Sequence, residues 1–276
     1  MAIAKNIRNN LRFLIAEVSS QVSNLQSYLG SPSASVARRI LDRSGYAYNL
    51  MLRIHDSCHS QVIKAASGTD AASLRAIESI ATDLERITGL CRECIDQLDQ
   101  LQNRRCPGAG TCKSMLGKVT VGLDRIEDAI RQNDTRLGLK IGRIKPALDK
   151  ASQNLVKKYT AGLKRRKHTE DLVAGLFLVH GIEQMGDAML NISEAIISAN
   201  LGQPINIERY HSMRASMEEL NNATDSTELV AETIAQTRSG SGISGISTSG
   251  RQDDGYVAIY KDGKKRKLRE ERRGLV

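Results

Sequence analysis

Three observations predict an all-α protein of two tandem three-helix antiparallel bundles, followed by a flexible linker and a basic tail. Apolar residues recur at the helical period along six long segments. The third segment carries an unbroken heptad pattern, and the third and sixth segments match one another at a fixed offset. Composition points the same way. Of 276 residues 40% are hydrophobic, yet only 3% are aromatic and none is Trp, which suits a Leu, Ile and Ala core between helices better than a β-sandwich.

The first segment, residues 3 to 29, has Ile3, Ile7, Leu11, Leu14, Val18, Val22, Leu25 and Leu29 at a mean spacing of about 3.7, a long amphipathic helix. Gly30, Ser31 and Pro32 read as its stop, the next N-cap and the first residue of a second helix that runs to about Ala66. Gly68, Thr69 and Asp70 make a turn. In the third segment, about 71 to 104, Ile77, Leu84, Cys91 and Leu98 hold one heptad position and Ile80, Ile87, Cys94 and Leu101 the other. CPGAG at 106 to 110 ends it. A fourth helix spans Thr111 to Gln132. The fifth ends near Arg166 and contains Pro146, which either kinks it or marks its true start. The sixth lies within about 168 to 200. Gly202 and Pro204 introduce a seventh at about 205 to 221, and Asp225 with Glu228 cap a short eighth to about Ala235.

These elements group into a first bundle at 1–105 and a second, with the short C-terminal helices, at 111–236. Residues 237–254 are a Gly/Ser linker, and 255–276 are a basic tail in which GYVAIYKDGKKRKL has the pattern of a β-hairpin; a lone hairpin is rarely stable in water, so the tail is expected to be either disordered or the start of a further element. Sliding the chain by 98 residues lays DLERITGLCRECID (83 to 96) over GIEQMGDAMLNISE (181 to 194) and places Ile87 over Met185 and Cys94 over Ile192.

In HGIEQMGDAMLNISE, residues 180 to 194, His180, Glu183, Asp187, Asn191 and Glu194 fall on one helix face beside the apolar seam Leu172, Val179, Ile182, Met189 and Ile196. A row of carboxylates at the edge of a buried seam faces solvent, a partner or a cation. The net charge of +9 sits mostly in the tail: Lys261 to Arg273 holds eight basic and three acidic residues, and the +4 left for residues 1 to 260 is an ordinary globular balance. The tail lacks a helix-turn-helix or an aromatic stacking surface, so no nucleic-acid partner is expected. KRRKH at 164 to 168 reads as a solvated turn more readily than as a contact for acidic lipid or phosphate.

No apolar run is long enough to span a bilayer, and MAIAKNIRNNLRFLIAEV has neither a signal core nor a cleavage site, so a soluble cytoplasmic protein is expected. With no export signal and an odd number of cysteines, five, the thiols are expected to be free, a Cys106 to Cys112 bridge being the alternative. Cys91 and Cys94 fill heptad core positions, and helix pairing sets Cys58 too far from them to share a zinc ion with the HDSCH run at 55 to 59. No G-x-S-x-G, P-loop, G-x-G-x-x-G or H-E-x-x-H occurs, and a non-catalytic role is expected.

EQMGDAMLNISE resembles the ERIGDHAVNIAE type of segment in the PhoU family of phosphate-signalling regulators, and DLERI at 83 to 87 looks like its first-repeat copy. The resemblance covers roughly residues 1 to 225. It implies an all-α protein that is not an enzyme and that mediates between a phosphate transporter and a sensor kinase at the inner face of the membrane. Contact with the membrane would be peripheral, through the partner. It also implies metal binding through E-x-x-x-D pairs, which land on Glu183 and Asp187. The first repeat keeps Glu85 but has Gly89 at the second carboxylate position, and Lys145 stands four residues before Asp149 where a second acidic pair would fall.

Antiparallel pairing about a turn near Lys167 sets positions 151 and 147 opposite Glu183 and Asp187, with Asp149 between them. Asp149, Glu183 and Asp187, with His180 as a fourth ligand, form the candidate site for a divalent or iron-type metal ion. The bland alternative is a solvated acidic stripe. The resulting expectation is a PhoU-like regulator acting through protein contacts. The alternatives are a regulatory helical module of a larger phosphate-related or kinase-type protein and a structural helical oligomer, of which a homodimer is the simplest.

Overall fold

The computed structural model describes residues 4–64, 68–99, 101, 107–165 and 168–207, all within one compact unit, Met1–Ser216. Eight helices appear among them: α1 (Lys5–Gly30), α2 (Ala34–Leu41), α3 (Ser44–Lys64), α4 (Gly68–Asp99), α5 (Ala109–Gln132), α6 (Thr135–Gly142), α7 (Ile144–Lys164) and α8 (Thr169–Leu201). No strand occurs among the described residues. The expected helices beyond Ile207, the Gly/Ser linker, the hairpin and Cys106 lie outside them.

The second and fifth expected helices are each broken near the start. The second becomes α2 and α3, parted at Asp42 and Arg43, and its N-cap is Ser33 rather than Ser31, because the Ser33 hydroxyl accepts from Val36 N. The fifth becomes α6 and α7. Asp134 caps α6 through Arg136 N and Leu137 N. Pro146 marks a start: as the third residue of α7 it occupies the first turn, where a backbone N–H has no carbonyl four residues back to meet.

The caps Ser33 and Asp134 are 101 residues apart, and that offset relates the first three helices of each half. Every buried residue of α1 from Leu11 to Leu29, except Glu17, falls on a buried residue of α5. Ala47, Ile54 and Cys58 of α3 fall on Leu148, Leu155 and Tyr159 of α7. For α4 and α8 the offset is 98, as the sequence pattern suggests, and every buried residue from Ile77 to Leu98 lands on a buried residue of α8. The chain is thus a repeat of four helices, long, short, long, long.

One cluster of buried apolar side chains runs through both halves, from Ile7 and Leu14 through Ile87 and Cys94 to Met185 and Ile192. The halves join because α4 lies against α8 and α1 against α5. Glycines permit the close approach: a Cβ on Gly181 of α8 would come within 2.9 Å of Cys94 Sγ on α4, and one on Gly186 within 3.0 Å of Leu148 Cδ1 on α7. Between α5 and the preceding turn, Gly108 takes φ +76°, and a Cβ there would also strike Leu155.

Cys58 and Cys91 are core thiols, and burial pushes both up to about 12. His55 Nε2 sits 3.2 Å from both Glu78 O and Thr82 Oγ1, holding α3 to α4. A single core predicts a single unfolding event. Ile87→Ala, at a site with no exposed surface, is expected to cost about 2–5 kcal/mol. In denaturant titrations, probes placed in each half should shift together. Two separated transitions would show the halves to be independent domains.

Candidate functional site

The polar face of α8 is built by its own periodicity. With the apolar seam turned into the core, His180, Glu183, Asp187, Asn191 and Glu194 come out along the edges facing α7, α4 and solvent. Four of these five polar residues meet a partner elsewhere in the fold, and the fifth stays within α8. Glu183 accepts from Ser152 Oγ of α7 at 3.2 Å. Asp187 accepts from Lys145 Nζ at 2.9 Å, and the same ammonium lies 2.6 Å from Asp149 Oδ1. Asn191 Nδ2 donates to Asp83 Oδ1 of α4 at 3.1 Å. Glu194 accepts from Ile207 N at 2.7 Å and ties down the chain after α8. His180 is exposed, with Nε2 2.7 Å from Gln184 Nε2.

Lys145 therefore brings Asp149 of α7 and Asp187 of α8 together, Glu183 meets Ser152 of α7, and His180 meets Gln184 of its own helix. A cation already bridges two of the three carboxylates. Lys145 is only 13% exposed, whereas Asp187 is 43% exposed. Burial works to lower the pKa of the ammonium, but hydrogen bonds and charge from Asp149 and Asp187 outweigh it and leave it raised. No group of three His, Cys, Asp or Glu side chains able to hold a metal is found among the described residues. With Lys145 in place, the donor set does not fit a divalent ion.

The first half has no such arrangement. At the 98-residue offset Asp187 corresponds to Gly89, and at the 101-residue offset Asp149 corresponds to Tyr48 and Lys145 to Ser44. Two features of the site have little sequence signal. One is Asp83, which reads as an ordinary surface carboxylate but is 8% exposed beneath Asn191. The other is Ser152, whose heptad-like spacing with Leu148 and Leu155 marks it only as buried.

Burial pushes the Asp83 carboxyl up, against the opposing effects of the Asn191 bond and the Arg86 charge. A folded-state pKa above the unfolded one means that ionisation disfavours the fold, a cost absent in acid and growing as pH rises through the raised value. Asp83→Asn is therefore expected to be more stable than wild type at neutral pH, with the advantage vanishing on acidification. Melting temperatures across pH measure it, and a variant weaker at every pH contradicts it.

The Lys145 pair has the opposite consequence at neutral pH. Its raised pKa gives stability that is complete below the ordinary lysine value and lost only as pH climbs through the raised one. Lys145→Met should be less stable by an amount constant through the neutral range. It should also gain Mn2+ binding by calorimetry, because Asp149 and Asp187, which share one ammonium in the wild type, then lie together without a counter-charge. A variant that binds no more Mn2+ than wild type refutes that account of the site.

No protein-family model matches the sequence, and no curated protein sequence does. Solved structures do. The fold is similar to that of PhoU from Pseudomonas aeruginosa, with a TM-score of 0.68 and 18% identity, covering 72% of this chain and 97% of that one. It is equally similar to the phosphate transport system regulatory protein PhoU from Streptococcus pneumoniae, with a TM-score of 0.68 and 16% identity, covering 73% of this chain and 96% of that one. The all-α fold of this chain is the PhoU helical-bundle fold.

Proposed function

We propose that this protein is a non-catalytic PhoU-like regulator of phosphate transport or signalling, working in the cytoplasm through contacts with protein partners. The observation that carries the reading is that nearly the whole length of two PhoU proteins matches the fold of this chain. Likeness of fold is an analogy, so the chemistry has to support it separately. Among the described residues no helix is long and apolar enough to cross a membrane, and contact with a transporter would be made from the membrane's inner face through the partner.

The α8 stripe supports the reading in a modified form. Its carboxylates are tied to Ser152, Lys145 and the chain after α8 and act chiefly to position helices. A divalent or iron-type ion enters this proposal only as a species that displaces the Lys145 ammonium. The partners proposed are a phosphate transporter and its sensor kinase.

Deleting the gene and following phosphate uptake and a phosphate-responsive reporter tests the proposal. Deletion should uncouple both from external phosphate, and the full chain should restore coupling. A Glu183→Ala, Asp187→Ala chain, confirmed folded by its melting curve, should restore it incompletely. Uptake and reporter output unchanged by deletion, at both low and high phosphate, would falsify the regulatory reading.

A further inference from the structure

The two halves share a fold but not a surface, and their sharpest difference lies where the break between the second and third helices meets the first helix. In the first half this place is closed. Glu17 of α1 is 5% exposed and takes two bonds from Arg43, at 2.9 and 2.6 Å, and one from Gln21 at 2.8 Å. The Arg43 guanidinium lies over the Tyr46 ring, 5.0 Å from its centre. Carried to the second half by the 101-residue offset, Glu17 becomes Lys118, Arg43 becomes Ile144, Asp42 becomes Arg143, Tyr46 becomes Ala147 and Phe13 becomes Ser114. A neutralised, aromatic-filled face is replaced by small residues and cations.

What results is a groove of about 370 Å³ between α5, α6 and α7. Its floor is Ile144, Ala147 and Val121, the last 47% exposed, and Lys118, Arg125, Lys140 and Arg143 surround it. No acidic residue lines it, and among the described residues none of the four cations is ion-paired. The wider surroundings are basic too. Residues 109–165 hold thirteen Lys or Arg against five Asp or Glu, so the modest charge of residues 1 to 260 conceals a strongly polarised molecule.

We propose that this groove receives an acidic amphipathic helix of a protein partner. Lining residues from Ser114 to Arg125 span about 16 Å of α5 at 1.5 Å per residue, room for three turns of a helix. A shallow apolar floor with cations on its rim matches a helix whose apolar ridge is flanked by carboxylates. Free phosphate would leave the apolar floor unused. The absence of an aromatic residue from the lining removes the stacking platform that single-stranded nucleic acid uses.

The test is fluorescence anisotropy with the full chain and a labelled peptide of about sixteen residues, long enough to be helical. Leu is placed at i, i+3, i+4 and i+7 and Glu elsewhere, and a scrambled peptide of the same composition is the control. Wild type should bind the ordered peptide, and more weakly as salt rises. Lys118→Glu with Lys140→Glu should weaken binding by at least about tenfold. Ser114→Phe with Ala147→Tyr, which rebuilds the first-half face without changing charge, should weaken it similarly, while Arg39→Glu, the first-half counterpart of Lys140, should not. Melting curves establish that each variant is folded.

No binding of the ordered peptide, equal binding of the scrambled one, retention by the filled variant, or preference for phosphatidylserine vesicles or inorganic phosphate over the peptide would each overturn the proposal. The readout is binding alone, so it can fail while the regulatory reading stands.

Discussion

α4 and α8 are the longest described helices, each the last of its half, and they meet where Gly181 leaves room for Cys94 and where Asn191 reaches the buried carboxyl of Asp83. Neither half could bury both faces of its last helix alone. Ile87, Cys91 and Cys94 on one side and Ile182, Met185 and Met189 on the other have no exposed surface to speak of once the halves are joined. Association of the halves is therefore part of forming the core, driven by removal of apolar surface from water and not by surface charge. That constraint decides what else the chain can vary. Helix faces turned toward the joint must stay apolar and small, and outer faces are free to diverge.

The stripe on α8 and the groove on α5, α6 and α7 illustrate the two outcomes. Residues of the stripe lie at the edges of the joint and are held by it: Asp187 meets a lysine that is itself mostly buried, and Glu194 fixes the chain that follows. Such pairs position helices, and their net stabilisation is modest because desolvation offsets attraction. The groove lies on an outer face of α5, α6 and α7, where exchange of a Glu17–Arg43 type of pair for Lys118 and Ile144 leaves the shared core intact. Two copies of one architecture thus carry different surfaces.

Much of this was legible in the sequence, and the exceptions have physical causes. Apolar periodicity located six long helices because burial of one face is what makes a helix persist in a protein. It missed the break at Arg43, since a change of helix direction leaves the spacing of apolar residues almost untouched, whereas Pro146 signalled the one at Arg143. The 98-residue match of Ile87 to Met185 and Cys94 to Ile192 was visible because core positions tolerate few residue types. The 101-residue relation of Leu11 to Cys112 and Val18 to Val119 was not, because the outward residues between them differ in size and sign.

For the site, antiparallel pairing about a turn placed Asp149 beside Asp187, as geometry of two long helices requires. Along the chain Lys145 is only a departure from an acidic pattern, and its spacing does not reveal where its ammonium goes. By itself the sequence determined the helical class, the two-fold repetition and the nearness of Asp149 to Asp187, because these follow from periodicity and chain reversal. Only the tertiary structure decided that Lys145 bridges two carboxylates, that Asp83 is buried and that four cations of α5, α6 and the break after α6 border one groove. The distances that settle those points run between helices, and no spacing along the chain encodes them.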